Sequence, residues 1–220
     1  MTQTLSFLNV LLLMNIKAIS VGPLEANCYI LWNKSKNSIV IDPGAEANLI
    51  LKFLKNQQLD VSVYLVTHAH IDHISALAEL SRKRPAPIGM HSADLKWAFD
   101  PIKKLSFYPA PERPEKITRI LADTQEWDDG NLSYKIIGTP GHSPGSVCFY
   151  FQEEHILFSG DTLFQGSVGR TDLPASDPRL LNASLKKLRA LPTDTRIYPG
   201  HGPETTLKIE LQINPFLINL

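Results

Sequence analysis

The sequence predicts a mixed α/β domain in which two sheets are flanked by helices. Short apolar runs bounded by Gly, Pro, Asn and Asp recur in both halves of the chain, and segments with helical spacing separate them. His and Asp residues lie where several of those runs end, the usual place for a site carried on a rigid scaffold.

Residues 18–21, 28–32 and 39–41 read as strands, punctuated by Gly22-Pro23 and Asp42-Pro43-Gly44. Residues 47–54 have helical spacing, residues 61–66 read as a buried strand, and residues 76–80 continue as a helix. The stretch 83–134 alternates short helix and strand candidates with a Pro-rich run, 101–114, which reads as an ordered surface loop rimming a site. Strand patterns return at 134–137, 147–151 and 156–158, then an amphipathic helix at 180–188 and a last short strand at 196–198.

With 220 residues, 43% hydrophobic and 20% charged, the chain has ordinary globular composition and can bury a sizeable core. Residues 6–14 are apolar, but no Lys or Arg precedes them and no small-residue cleavage site follows. They also fall short of the roughly 20 residues that span a bilayer. Residues 1–15 are therefore expected to be an N-terminal extension, non-native or disordered, and 16–220 a single domain with no separate C-terminal helical domain. The 22 basic and 22 acidic residues cancel, which argues against a large nucleic-acid footprint; no membrane partner is expected either. Cys28 and Cys148 both sit in apolar, strand-like runs and read as buried free thiols, so a reducing, cytoplasmic setting is expected.

The chemistry concentrates in Val66-Thr67-His68-Ala69-His70-Ile71-Asp72-His73, three imidazoles and one carboxylate at the end of an apolar run. Imidazole nitrogen and carboxylate oxygen both suit borderline divalent ions such as zinc. The spacing suggests two ions: His68 and His70 alternate along an extended loop and reach one, while Asp72 and His73 lie further round the turn and reach a second. His142 sits in Thr139-Pro140-Gly141-His142-Ser143-Pro144-Gly145, Asp161 in Ser159-Gly160-Asp161-Thr162, and His201 in Pro199-Gly200-His201-Gly202. A lone histidine or aspartate beside a glycine is an ordinary turn residue. Together with the cluster, the three complete what a two-metal site requires. His91 and His155 lack comparable context.

Asn27-Cys28-Tyr29, Asp42-Pro43-Gly44, the cluster at 68–73, residues 139–145 and Gly160-Asp161-Thr162 carry a family resemblance. Val168-Gly169-Arg170-Thr171-Asp172, Pro199-Gly200-His201-Gly202 and Asn214-Pro215-Phe216 extend it. From about residue 16 onward the chain resembles the metallo-β-lactamase-fold superfamily, and within it the single-domain type II glyoxalase (hydroxyacylglutathione hydrolase-like) proteins. The resemblance implies an αββα sandwich with the site at one edge between the sheets. It implies that His68, His70 and His142 bind one metal, that Asp72, His73 and His201 bind a second, and that Asp161 bridges. Two divalent ions are expected, Zn2+ first and Fe or Mn as alternatives. Ile74-Ser75, where relatives commonly have a small or glycine-containing pair, and Lys208, where they often carry glycine, depart from the pattern.

The expected reaction is hydrolysis of a small-molecule thioester of the S-lactoylglutathione type by a hydroxide shared between the ions, with Asp72 as the catalytic residue. A thiol of pKa about 8.5 departs as thiolate with little help, whereas an amide nitrogen needs a proton donor. Arg170 is the candidate for an anionic group on the substrate, against a structural ion pair with Asp172. Trp97, Phe107 and Tyr108 read first as core packing and second as substrate contacts. The rival reading is a mononuclear-iron persulfide dioxygenase of the same fold, using the positions of His68, His142 and Asp161. A hydrolase of another ester or lactone is the weaker rival.

Overall fold

A strand that is apolar on both faces needs cover on both faces, and the chain folds into layers that supply it. In the computed structural model, which describes residues 14–100, 107–108 and 110–220, strands β1 (Met14–Val21), β2 (Ala26–Asn33) and β3 (Asn37–Ile41) form an antiparallel meander. Helix α1 (Ala47–Asn56) returns the chain to β4 (Asp60–Leu65), which pairs parallel to β3. The short helices α2 (Ile71–Ile74) and α3 (Leu77–Lys83) lead to β5 (Ile88–His91), and α4 (Ser92–Leu95) precedes β6 (Arg119–Leu121). These strands make one six-stranded sheet in the order β1-β2-β3-β4-β5-β6.

Strands β7 (Glu126–Asp128), β8 (Ser133–Gly138), β9 (Val147–Phe151) and β10 (Ile156–Gly160) pair antiparallel in succession. A small hairpin, β11 (Leu163–Phe164) with β12 (Ser167–Val168), follows. Helix α5 (Pro178–Arg189) then crosses to β13 (Arg196–Pro199), parallel to β10. Asp177 caps α5, accepting from the Arg179 and Leu180 amides, and Pro178 opens the helix where a missing N–H costs nothing. Strand β14 (Thr205–Thr206) and helices α6 (Leu207–Ile213) and α7 (Pro215–Ile218) close the described chain. The second six-stranded sheet has the order β14-β13-β10-β9-β8-β7.

Alternation along the strands assigns the layers. On β2, Tyr29 and Leu31 enter the inter-sheet core with Phe149, Phe151 and Phe158, while Cys28 and Ile30 face Ile50 and Leu54 of α1 and Leu77 of α3. On β9, Phe149 and Phe151 point inward, and Cys148 and Tyr150 meet Leu181, Leu185 and Leu188 of α5. The result is the αββα sandwich, with each sheet covered by helices on its outer face.

Strand β1 begins at Met14, where Met14 and Asn15 pair with Asn33 and Trp32, so the domain takes in two residues assigned to the extension. The rest of that extension, residues 1–13, lies outside the described residues, as do 101–106 and 109 of the Pro-rich run. Cys28 and Cys148 are buried free thiols, as their apolar settings implied. No helix among the described residues is long and apolar enough to cross a membrane.

Phe158 is fully buried between the sheets, its ring centroid 5.0 Å from Tyr29, 5.7 Å from Phe151 and 5.2 Å from Tyr198. Phe158→Ala should therefore cost about 3–5 kcal/mol, the range for emptying an aromatic site in a packed core. Denaturant unfolding at fixed metal loading measures it, and a loss below ~1 kcal/mol would mean that the two sheets are not held by this core.

Candidate metal centre

Two parallel strand pairs bring the site together. Because β3 and β4 run parallel, Asp42 and the cluster at 68–73 emerge at the same sheet edge. Because β10 and β13 run parallel, Asp161 and His201 do likewise, and the turn between β8 and β9 adds His142. Ligands in open α/β sheets bind beyond the carboxyl ends of parallel strands for this reason. The edges are joined directly: the Val147 amide donates to the Thr67 carbonyl at 2.9 Å, and the Asn27 amide to the Gly200 carbonyl at 2.7 Å. The Asn27 side chain adds bonds to the Pro199 and Gly202 carbonyls at 3.0 and 2.9 Å, which fixes the loop carrying His201.

All of the ligands expected from the sequence converge. One group is His68, His70 and His142, and another is Asp72, His73 and His201, each with its donor atoms within 4.8 Å of one another. Asp161 lies between the groups. Its Oδ2 is 3.5 Å from His142 Nε2, 3.9 Å from His68 Nε2 and 3.7 Å from His201 Nε2, and its Oδ1 is 3.5 Å from His73 Nε2. Asp72 Oδ2 is 3.2 Å from His201 Nε2 and 3.7 Å from His73 Nε2. Three of these inward atoms, His68 Nε2, His73 Nε2 and Asp161 Oδ1, are buried with no hydrogen-bond partner among the described residues. An unpaired buried polar atom is costly. Several aimed at one small volume fit divalent ions, which satisfy them all at once.

The outward nitrogens are committed elsewhere, and this sets the tautomers. Asp42, fully buried and held at φ 50°, accepts from the Thr67 amide (2.7 Å), the Thr67 hydroxyl (2.5 Å) and His73 Nδ1 (3.0 Å). With its hydroxyl donated to Asp42, Thr67 Oγ1 accepts from His68 Nδ1 at 3.1 Å. His142 Nδ1 donates to the Arg170 carbonyl at 2.9 Å. Each of the three rings therefore keeps its Nδ1 proton pointed outward and leaves Nε2 as the atom that would ligate a metal once unprotonated. Asp42, His68 and His73 form a third group of nearby donors, but both Asp42 oxygens are occupied by these supporting bonds.

Asp94 supports the other side. Its Oδ2 accepts from the Ala69 amide (2.9 Å) and Ser143 Oγ (2.7 Å), and its Oδ1 from the Gly145 amide (2.7 Å), tying the loop of His68 and His70 to the turn of His142. Sequence reasoning missed both supports. Asp42 stood in Asp-Pro-Gly, which reads as punctuation, and Asp94 carried no motif signal. Gly200 is required by space: a Cβ there would lie 2.0 Å from Asp161 Oδ1 and 2.9 Å from His73 Cε1. Of the departures from the family pattern, Ile74 fills the core beneath α2 and Ser75 Oγ donates to the Ile71 carbonyl at 2.7 Å, so neither disturbs a ligand. His91 accepts from the Ala93 amide and His155 pairs with Asp194, both away from the cage.

Charge is unevenly shared inside. Burial lowers the basicity of His68, and the neighbouring His73, His70 and His142 lower it further, to well below the ordinary histidine range. Burial acts the same way on His73, but Asp72, Asp161 and Asp42 outweigh it and push its pKa up to about 10. Burial opposes ionisation of Asp72, yet His73 and His201 hold its carboxyl well below the usual carboxylate range. His201 is raised against burial by its bond to Asp72 and by the charge of Asp161. Without metal, imidazolium charge neutralises the carboxylates.

A cleft of about 900 Å³ opens over the cage, with Leu24, Ile71, Trp97, Phe107, Phe164 and Leu173 among its walls. Trp97 packs against the outer core, lines the cleft and stands 5.6 Å from the His70 ring. Phe107 lines the cleft and is exposed, whereas Tyr108 is buried with its hydroxyl 3.4 Å from the Gly44 carbonyl. The core reading made for all three aromatics thus holds for Tyr108 and only in part for Trp97. Arg170 reaches the lining, but its exposed guanidinium makes a two-pronged ion pair with Asp172 at 2.6 and 2.7 Å.

Residues 21–201 match the family described as the metallo-beta-lactamase superfamily. The chain is 34% identical over 216 residues to the hydroxyacylglutathione hydrolase GloC of Haemophilus influenzae, covering 93% of this chain and 98% of that protein. Among solved structures it is similar to BLEG-1, a B3 metallo-beta-lactamase, with a TM-score of 0.87 at 39% identity, over 92% of this chain and 99% of that one. It is also similar to TTHA1623 in a di-iron-bound form, with a TM-score of 0.80 at 40% identity, over 91% of this chain and all of that one, 100%.

Asp42→Asn should weaken divalent-metal affinity by about 10–100-fold with the fold retained, the usual cost of removing a carboxylate behind a ligating histidine. Competition with a chromophoric chelator measures this, and unchanged affinity would remove Asp42 from the support of the cage. Because His73 without metal holds its proton up to about pH 10, metal uptake at neutral pH must expel it. Calorimetric titration of metal-free protein in buffers of different ionisation enthalpy should therefore show net proton release, and affinity should fall as pH is lowered. Uptake without proton release would contradict the protonated His73.

Proposed function

The chain belongs to the metallo-beta-lactamase superfamily, and from that premise we propose that it is a dinuclear metal-dependent thioester hydrolase of the hydroxyacylglutathione type. The observation that carries this reading is the pair of complete donor groups, His68, His70, His142 and Asp72, His73, His201, with Asp161 between them at the floor of an apolar-walled cleft. The likeness to GloC over nearly the whole of both chains supports the thioester assignment. Zinc is the proposed occupant; the same donors accept iron or manganese, and the similar structure in a di-iron-bound form keeps iron in view. Two such ions, when bound, lower the pKa of water and polarise a carbonyl as Lewis acids.

The chain's own residues do the rest. Asp72, on the cleft lining and hydrogen-bonded by His201, is placed to orient the attacking water and take its proton. The apolar walls exclude bulk water and hold the acyl portion, which strengthens every electrostatic contact on the cleft floor. A thiolate leaves unprotonated, so no side chain has to be assigned as an acid. The Arg170 guanidinium, at the cleft and solvent-exposed, is the proposed partner for a carrier carboxylate, in competition with Asp172. Two buried free thiols support a reducing, cytoplasmic setting.

The second reading, a one-iron persulfide dioxygenase, draws on the approach of His68 and His142 to Asp161 at 3.9 and 3.5 Å, which suffices for one ion by itself. Elemental analysis run beside S-lactoylglutathione hydrolysis and persulfide-dependent oxygen uptake separates the two. Two ions per chain with thioester turnover is the expected result. One iron per chain with oxygen uptake would overturn the hydrolase. Asp72→Asn should lower kcat by about 10²–10⁴-fold, the worth of a positioned general base. Near-normal turnover with both metals bound would remove Asp72 from that role.

A further inference from the structure

Glu210 is a fully buried carboxylate on α6, away from the metal cage, and every hydrogen bond it accepts has a purpose outside its own helix or at the helix end. Its Oε2 accepts from the Gly166 amide at 2.8 Å and from Asn214 Nδ2 at 2.9 Å, and its Oε1 accepts from Thr205 Oγ1 at 2.7 Å. Gly166 is the turn of the β11–β12 hairpin, at φ 66°. Asn214 is equally buried and reaches the same hairpin, its Nδ2 lying 3.4 Å from the Phe164 carbonyl and 3.1 Å from the Ser167 carbonyl. Its Oδ1 meanwhile accepts from the Phe216 amide and caps α7.

The hairpin is small, with only two residue pairs in register, Leu163 with Val168 and Phe164 with Ser167. A two-stranded ribbon of that length has little stability of its own. Yet Phe164, Ser167 and Val168 line the cleft, and the Phe164 ring stands 6.3 Å from that of His201. We infer that Glu210 and Asn214 are positioning residues which, by holding the β11–β12 hairpin, fix the apolar cleft wall beside His201 and so set the fit of the substrate's apolar portion. The C-terminal α6–α7 segment thereby serves substrate fit without touching substrate or metal. The consequence for catalysis rests on the hydrolase reading; the mechanical part does not.

Glu210→Met tests it with the side-chain volume nearly kept. Both oxygens go, so the bonds from the Gly166 amide, Asn214 Nδ2 and Thr205 Oγ1 are all lost. In metal-loaded protein, amide hydrogen exchange followed by mass spectrometry should speed up at least about tenfold over 163–168 while residues 66–73 stay protected. Metal content should stay at the wild-type value. Across thioesters of increasing acyl length, KM should rise about five- to tenfold for the longer apolar groups with kcat within about twofold, the signature of lost ground-state fit. Phe164→Ala, which leaves the network intact, should reproduce the KM pattern without the exchange effect, and the double variant should show no further rise in KM. Unchanged exchange over 163–168 overturns the inference whatever the activity. Loss of metal, or a fall in kcat with KM unchanged, overturns it too, since Glu210 would then be supporting the cage. If wild-type protein turns over no thioester, the proposed reaction falls and the exchange result still decides whether Glu210 holds the wall.

Discussion

The buried carboxylate of Asp42 accepts hydrogen bonds from the Thr67 amide, the Thr67 hydroxyl and His73 Nδ1, and so decides which nitrogen two of the rings turn toward the cage. His73 is set directly. His68 is set through Thr67, whose hydroxyl, once donated to Asp42, has only acceptor capacity left for His68 Nδ1. This chain of bonds exists only because β3 and β4 lie side by side and parallel, which delivers Asp42 and Thr67 to the same edge. Shifting either strand by one residue would reverse the facing of every side chain along it. The sheet register, the ring tautomers and the donor geometry are thus one constraint seen at three scales.

A cage of this kind runs against ordinary folding preferences. Inward atoms of His68, His73 and Asp161 have no hydrogen-bond partner among the described residues, and the carboxylates of Asp72 and Asp161 both approach His73 Nε2, at 3.7 and 3.5 Å. Such local conflict is tolerated where the surrounding structure over-determines it. Here the surroundings are two sheets packed face to face, helices on both outer faces, and backbone bonds that lace the sheet edges together at Thr67 and Gly200. The raised pKa of His73 favours a positive charge among the carboxylates of Asp72, Asp161 and Asp42.

Much of this was legible in the sequence. The apolar runs found the long central strands, because strands buried on both faces are nearly continuous in apolar residues, and the seven candidate ligands, which the fold brings together, stood out because metal chemistry restricts residue type and each follows a strand. The edges were not legible. Strands β6, β7 and β14 have two or three residues each, too few to show a period. Asp42 and Asp94 were missed because their work is done with partners far along the chain: Asp94 binds Gly145 and Ser143, with which it shares no motif. Asp42 was masked by a Pro-Gly that looks like an ordinary turn. The buried Glu210 was hidden for the same reason, as an acidic residue on a short helix normally reads as solvent-facing.

Arg170 illustrates how such a fold can change its customer without rebuilding its engine. Its carbonyl accepts a hydrogen bond from His142 Nδ1 and so helps to orient a candidate ligand, while its guanidinium stands exposed at the mouth of the cleft. Any amino acid supplies the same carbonyl. A substitution at this position would therefore change the charge at the mouth of the cleft while the backbone beneath goes on holding the histidine in place.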